Sequence, residues 1–360
     1  MIPMTTIHPK LSTLLDHSAY AVRWLTARPE WSSEIGEMAA SPVSEAVIEG
    51  LLKAAMPTEP DHAQSIDDLA ANLRLARQKF MLLIAARDFN GTADVQEVTQ
   101  AMSCFAEKVT AVAIEAIRQD IKPTVGEPLN QQGDYSPLMI VGMGKLGGCE
   151  LNVSSDIDLV FLYEEDGETQ GGSKSISHQE WYTRVGKRLI ALLSELRSEG
   201  FIFRVDMRLR PNGDSGPLVC SLGMLEEYFC VQGREWERYA WIKGRMIYPL
   251  PDMPAYERCQ KGLQDLVRPF VYRRYLDFGV IAAIRELHGQ IQQEAEKRSL
   301  LHPERAADVK LGRGGIREIE FMAQMFQLVR GGQDPGLRIR PTLEVLRAVF
   351  ERQLIGQVEL

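Results

Sequence analysis

Apolar residues recur at helical spacing through the first part of the chain, in four stretches: Leu11 to Thr26, Val43 to Ala55, Ile66 to Arg87 and Asp94 to Ile121. Each reads as an amphipathic helix. The breaks fall where turn chemistry places them, at Arg28-Pro29, Met56-Pro57 and Asn90-Gly91. A polar linker bearing Pro and Gly, Pro123 to Ser136, follows, and then the pattern changes. Leu138 to Val141 is a short apolar run ending in glycine, and Phe201 to Arg210 alternates strictly, both as expected of strands. Between them, Glu164 to Ser177 reads as a polar loop and Gln179 to Arg197 as a helix presenting Trp181, Val185, Leu189 and Leu192 to a sheet. Beyond Ser221 the periodicity is helical again, with a long helix from Asp277 to about Lys297 and another opening after Gly315. In that last helix Ile319, Met322, Ala323 and Phe326 are expected inward, and Arg317, Glu320, Gln324 and Gln327 on another face. The expected class is α+β, predominantly helical, with a small mixed sheet. Residues 1–136 would form a helical domain with its linker, 137–220 the sheet domain and 221–360 a helical segment.

The chemistry concentrates where the pattern switches. After the apolar run comes Gly142-Met-Gly-Lys-Leu-Gly-Gly-Cys-Glu-Leu-Asn-Val-Ser-Ser-Asp156-Ile-Asp158-Leu. In a strand, positions i and i+2 share a face, so Asp156 and Asp158 project together while Ile157 and Leu159 face the core. Two such carboxylates suit a hard cation such as Mg2+. In the alternating segment, Ile202, Arg204, Asp206, Arg208 and Arg210 share one face. An acid among arginines is explained if the arginines meet phosphate and Asp206 shares metals with Asp156 and Asp158. Two cations bridged by three carboxylates steady the attacking and leaving oxygens of an in-line displacement at phosphorus. Phosphoryl or nucleotidyl transfer is the chemistry implied.

Gly142, Gly144 and Gly147 also spell the dinucleotide-binding G-x-G-x-x-G. Spacing argues against that fold. Only the residues from Gly147 to Ser155 are available for a crossover helix and its turns, and a parallel crossover takes about a dozen or more. One short helix in a mixed sheet fits better. Elsewhere, Arg234, Arg238, Trp241 and Arg245 fall at helical spacing, a stripe suited to phosphate or an acidic protein, or equally to an ordinary salt-bridged face. The glycine turn from Lys310 to Gly315 opens a helix and could bind an anion through backbone N–H groups.

Net charge of -8 and a pI near 5.5 speak against the basic surface that nucleic-acid binding requires. The longest apolar run, Phe80 to Ala86, is far short of a membrane span, and Met1 to Lys10 lacks the regions of a signal peptide. Five cysteines without a C-x-x-C pair read as reduced packing residues, with Cys149 a minor candidate for reactivity beside the motif. These features imply a cytoplasmic protein. None of the six histidines falls in a catalytic constellation.

The glycine and aspartate motif, Arg204-Val-Asp-Met-Arg-Leu-Arg-Pro-Asn-Gly-Asp-Ser-Gly-Pro-Leu218, Gly233 to Ala240, Lys310 to Phe321 and Arg330-Gly-Gly332 together resemble the bifunctional glutamine synthetase adenylyltransferase/adenylyl-removing enzymes. That resemblance implies a nucleotidyltransferase domain of the polymerase-beta type, present here once. The forms Ser154-Ser-Asp-Ile-Asp158, Gly213 to Pro217 and Gly315 to Glu320 are similar to the family's amino-terminal half. It implies phosphorolysis of adenylyl-tyrosine on glutamine synthetase, with inorganic phosphate as co-substrate and ADP as product, and the PII signal protein as regulator. It further implies metal binding by Asp156, Asp158 and Asp206, with two Mg2+ ions, and phosphate or nucleotide contacts from Gly142, Gly144, Lys145, Gly147, Ser155, Arg208, Arg210, Lys310 and Arg317. The metal chemistry itself does not separate removal from addition of AMP. ATP-dependent adenylylation, or a non-catalytic module binding nucleotide or PII, are the alternatives.

Overall fold

The computed structural model describes residues 8–56, 65–274, 309–310, 312 and 314–356, with residues 286, 289, 293 and 297 singly. The predicted long helix from Asp277 to Lys297 and the break at Pro57 lie outside the described residues, apart from those single positions.

The amino-terminal part is helical: α1 Ser12–His17, α2 Ala19–Ala27, α3 Trp31–Met38, α4 Glu45–Ala55, α5 Ile66–Phe89 and α6 Val95–Val125. Ser18 divides the predicted first helix, because its hydroxyl accepts from the Ala21 N–H and caps α2. The helix α3 was not anticipated. Ser65 and Asp94 cap the two long helices in the same way as Ser18, through the N–H groups of Asp68 and Glu97. Helix α6 runs past the expected linker start and takes in Pro123.

The sheet consists of β1 Met139–Gly142, β2 Ile157–Tyr163, β3 Val205–Asp206, β4 Val219–Ser221 and β5 Arg245–Tyr248. Strand β2 pairs antiparallel with β1, and β1 antiparallel with β5. On its other edge, β2 pairs in parallel with β3 near its start and with β4 near its end. The short helix α7 Gly144–Gly147 joins β1 to β2, the mixed-sheet arrangement that the spacing requires. Helix α8 His178–Ser194 buries Trp181, Val185, Leu189 and Leu192 as expected.

Both faces of the sheet are covered, so its strands are apolar without alternation. Ile140, Leu159 and Phe161 pack with residues of α4, α5, α6 and α8 in one core. Met139, Val141, Val160 and Leu162 pack on the other side with residues of α9 Leu222–Val231, α10 Glu235–Trp241, α11 Tyr256–Val271 and α12 Ile316–Arg330. A further core joins α12 to α13 Thr342–Glu351.

Four expectations are corrected. The alternating segment is a strand only over Val205–Asp206, because Ile202 and Phe203 are both buried and both donate backbone N–H groups to Leu193 O. The region beyond Ser221 is not purely helical, since β5 completes the sheet. Arg245 therefore begins a strand and does not continue the arginine stripe of α10; Arg238 of that stripe is buried against Phe270 and paired with Glu235. In α12 the faces are turned relative to the expectation: Gln324 and Gln327 are buried and Ile319 is exposed. Gln327 is held inside because its amide donates to Leu337 O and Ile339 O.

Candidate active site

The glycine turn is shaped by what lies against it. Gly144 has φ +51°, and a Cβ there would lie 3.1 Å from Asp158 Oδ2. Only glycine combines that backbone with so close a carboxylate. Gly147 faces the backbone of the segment before β5, where a Cβ would fall 1.9 Å from Lys243 O. Arg245 fastens the same turn by donating to Gly147 O at 3.1 Å and Leu146 O at 3.0 Å, while pairing with Glu107 of α6 at 2.5 Å.

The three aspartates meet at the open end of this turn. Asp158 and Asp206 are register partners across the parallel β2–β3 pair, and Asp156 precedes β2 by one residue. Ile157 and Leu159 are fully buried, as the alternation predicts. Asp158 is half-buried, and its carboxyl is pushed up to about 6 by desolvation first, then by the negative charges of Asp206 and Asp156, against the opposing pull of Arg208 and Lys310. Asp206 behaves oppositely. Arg208 grips it with Nε at 2.9 Å and a terminal nitrogen at 2.5 Å, and its backbone N–H adds a bond of 2.8 Å, so Asp206 is held below the usual carboxylate range. Asp156 is paired with Arg204, which also donates to Ser154 O at 2.6 Å.

Among the described residues no three His, Cys, Asp or Glu side chains converge in a ready metal-holding group. The donor set nevertheless suits a hard divalent cation. Three carboxylates lie close enough for two of them to raise the pKa of the third, and the positive charge that Asp156 and Asp206 receive comes from two exposed arginine side chains.

The remaining expected residues are distributed as follows. Lys145 donates to Ser155, Nζ to Oγ 3.4 Å. Lys310 is within electrostatic reach of Asp158, which ties the segment before α12 to the site. Arg317 is exposed on α12, and its backbone N–H donates to Lys310 O. Arg210 donates to Met207 O at 2.8 Å and to Asp214 at 3.3 Å, and its positive charge reaches Asp206. Arg204 and Arg208 bond the aspartates directly, whereas Arg210 acts on Asp206 through charge alone. Cys149, at φ 55°, has its thiol pushed up by burial, contrary to a reactive role.

A buried ionic junction beside the turn was not foreseen. Lys243 Nζ lies 2.6 Å from Glu150, 3.1 Å from Glu320 and 3.1 Å from Thr342 Oγ1, while Glu150 accepts the Thr342 N–H at 2.5 Å. It fastens the segment after the glycine turn to α12 and α13. Glu150 stands inside the glycine and aspartate motif, but Lys243 lies far along the chain with no spacing to mark it. A cavity of about 310 Å³ opens next to this junction, lined by Lys145, Cys149 and Glu150 on one side and Ile316, Ile319 and Leu343 on the other. None of the three aspartates lines it.

Comparison with known proteins identifies relatives of this chain. The family model for glutamate-ammonia ligase adenylyltransferase matches residues 9–259, and that for GlnD PII-uridylyltransferase matches residues 285–360. The chain is 54% identical to the bifunctional glutamine synthetase adenylyltransferase/adenylyl-removing enzyme of Ralstonia nicotianae, over 95% of the chain and 37% of that protein. It is 46% identical to the protein of the same name from Aromatoleum aromaticum, over 98% of the chain and 36% of that protein, and 45% identical to that from Nitrosomonas europaea, over 96% and 36%. The chain thus spans little more than a third of the length of these relatives. With the match extending over most of its residues and through the whole glycine and aspartate motif, the chain belongs to the glutamate-ammonia ligase adenylyltransferase family.

Proposed function

We propose that this chain is a nucleotidyltransferase unit that removes AMP from adenylylated glutamine synthetase by phosphorolysis. The observation that carries the reading is the carboxylate trio at the glycine turn, with Asp158 pushed up to about 6 between Asp206 and Asp156. A carboxylate whose ionisation is disfavoured by burial and then by two neighbouring negative charges is arranged to receive positive charge. The names of the relatives support glutamine synthetase as the protein substrate.

In the proposed reaction an oxygen of inorganic phosphate attacks the adenylyl phosphorus, the bond to the tyrosine oxygen breaks, and ADP and the free tyrosine side chain are the products. Asp156, Asp158 and Asp206 would hold divalent cations, two Mg2+ in this reading, which neutralise charge on the phosphoryl oxygens when bound. Arg208 and Arg204 are exposed and can leave their aspartates to meet phosphate oxygens, where a planar guanidinium offers a two-point grip. Gly144 keeps side-chain atoms out of the space beside Asp158. Lys310 adds positive charge from the α12 side. Phosphate is already an anion at neutral pH, so the absence of a histidine base among these residues is no obstacle. The amino-terminal-half character of the motifs favours removal over addition, and PII is the expected regulator. A cytoplasmic setting suits this substrate, and no described helix is long and apolar enough to cross a membrane.

The test is to incubate the chain with adenylylated glutamine synthetase, Mg2+ and radiolabelled phosphate. Labelled ADP, lost with Asp158→Asn, is the expected result. Transfer of label from ATP onto unmodified glutamine synthetase with release of pyrophosphate would reverse the assigned direction.

A further inference from the structure

A second cavity, of about 390 Å³, is lined by residues of α10, α11 and the segment leading to α13, and by none of the three aspartates. Its lining holds three arginines, Arg268, Arg338 and Arg340, and no carboxylate. Arg340 is partly buried. Its Nε donates to Gly244 O at 3.0 Å, but its terminal nitrogens have no acceptor among the described residues. Burial, reinforced by the charge of Arg245, holds this guanidinium below its ordinary pKa, and only tyrosines and a cysteine offset it. Arg338 is fixed in place by bonds to Gly331 O and Gly332 O and by the ring of Tyr272, 5.3 Å away. The nearby Asp334 is taken by Arg352 at 2.5 Å and is not part of the lining. Arg268 has no carboxylate partner among the described residues.

A partly buried guanidinium with donors to spare favours an anion beside it, and Arg338 and the exposed Arg268 bring two further positive charges to the same space. Apolar surface from Trp241, Leu263 and Val267 also lines the cavity. Gln260 is a further lining residue, and its Oε1 is buried with no hydrogen-bond partner. An unpartnered buried acceptor is uncommon in a folded protein and is explained by a ligand donor. The volume lies at the small end of the usual range for ligand pockets, roughly 300–1,000 Å³.

We infer that this cavity is a binding site for a nucleoside monophosphate, separate from the aspartate site. The phosphate lies against Arg340 and Arg268, the base against Trp241 and Leu263, and a ring amino group donates to Gln260 Oε1. Arg338 adds charge without having to move.

The experiment is calorimetric titration of the full chain with AMP, adenosine and inorganic phosphate, each in EDTA so that cation-dependent binding at the aspartates is silent. AMP should bind at one site, more tightly than adenosine or phosphate alone. Asp158→Asn should leave that affinity unchanged. Arg340→Gln should weaken it about tenfold or more, the effect of losing a charge-assisted bond. Because Arg340 also anchors Gly244, the exposed Arg268→Gln serves as the second variant, and it should weaken AMP binding with the melting temperature unchanged. The proposal is overturned if AMP does not bind in EDTA at millimolar concentration, if it binds no more tightly than phosphate, if Asp158→Asn abolishes binding, or if neither arginine substitution affects it.

Discussion

Replacing Asp158 by Asn should make the cation-free protein more stable above about pH 6, and the size of the effect follows from the site. In the unfolded chain this carboxyl titrates near 3.8, and in the fold it is pushed up to about 6. Below pH 3.8 both states hold the proton and no difference arises. Between the two values the folded state keeps a proton that the unfolded chain has lost, so wild-type stability falls as pH rises; above 6 the penalty is constant. The full rise corresponds to about 3 kcal/mol at 1.36 kcal/mol per unit, and solvent reaching the open end of the site reduces this to about 1–3 kcal/mol. Asn has similar shape, no charge and no such window. Urea denaturation in EDTA at a series of pH values from 4 to 8 measures it. The stability difference between variant and wild type should open between about pH 4 and 6 and then stay level. Adding Mg2+ should stabilise the wild type and not the variant, by mass action on the folded state. Parallel curves for the two proteins across the whole range would refute the assignment of Asp158 as a carboxylate destabilised by its neighbours.

Gly144→Ala forces a side chain into the left-handed region and against Asp158, and should cost about 1–2 kcal/mol with a larger proportional loss of turnover, read from melting curves beside the phosphorolysis assay. Glu150→Ala removes the principal partner of buried Lys243 and should cost about 3 kcal/mol, measured by urea denaturation, with Glu320 limiting the loss. Arg208→Lys keeps the charge but loses the planar grip; the melting temperature should barely change, while the KM for phosphate rises more than that for the protein substrate. Lowering pH through the depressed pKa of Asp206 should release its bond with Arg208 and remove the stability that the pair supplies above the unfolded value, followed by the pH dependence of the melting temperature in Arg208→Gln and wild type.

Local patterns determined much of this protein. The continuous apolar run before Gly142, the short distance to Asp156 and the i, i+2 spacing of Asp156 and Asp158 were enough to define two strands joined by a short helix in a mixed sheet, with two acids sharing a face, because strand geometry acts within a few residues; the antiparallel pairing was left to the structure. Helix periodicity placed α4, α5, α6 and α8 to within a few residues, since those helices keep one apolar face toward a core. Decisions that depend on distant partners were not legible. The alternation from Phe201 to Arg210 promised a full strand, but Ile202 and Phe203 are both claimed by the core, so only two residues pair and Arg208 and Arg210 diverge. Strand β5 has the composition of neither a clear strand nor a clear helix; its partner β1 lies about a hundred residues earlier, and only sheet completion makes it a strand. The same distance hides the junction of Lys243 with Glu150 and the acid-free cavity around Arg340, because the electrostatic environment of a side chain is set by which segments the fold brings against it. The sequence thus specified the carboxylates, and the tertiary structure decided which of them resists ionisation, which arginines bond them and which helices hold the turn in place.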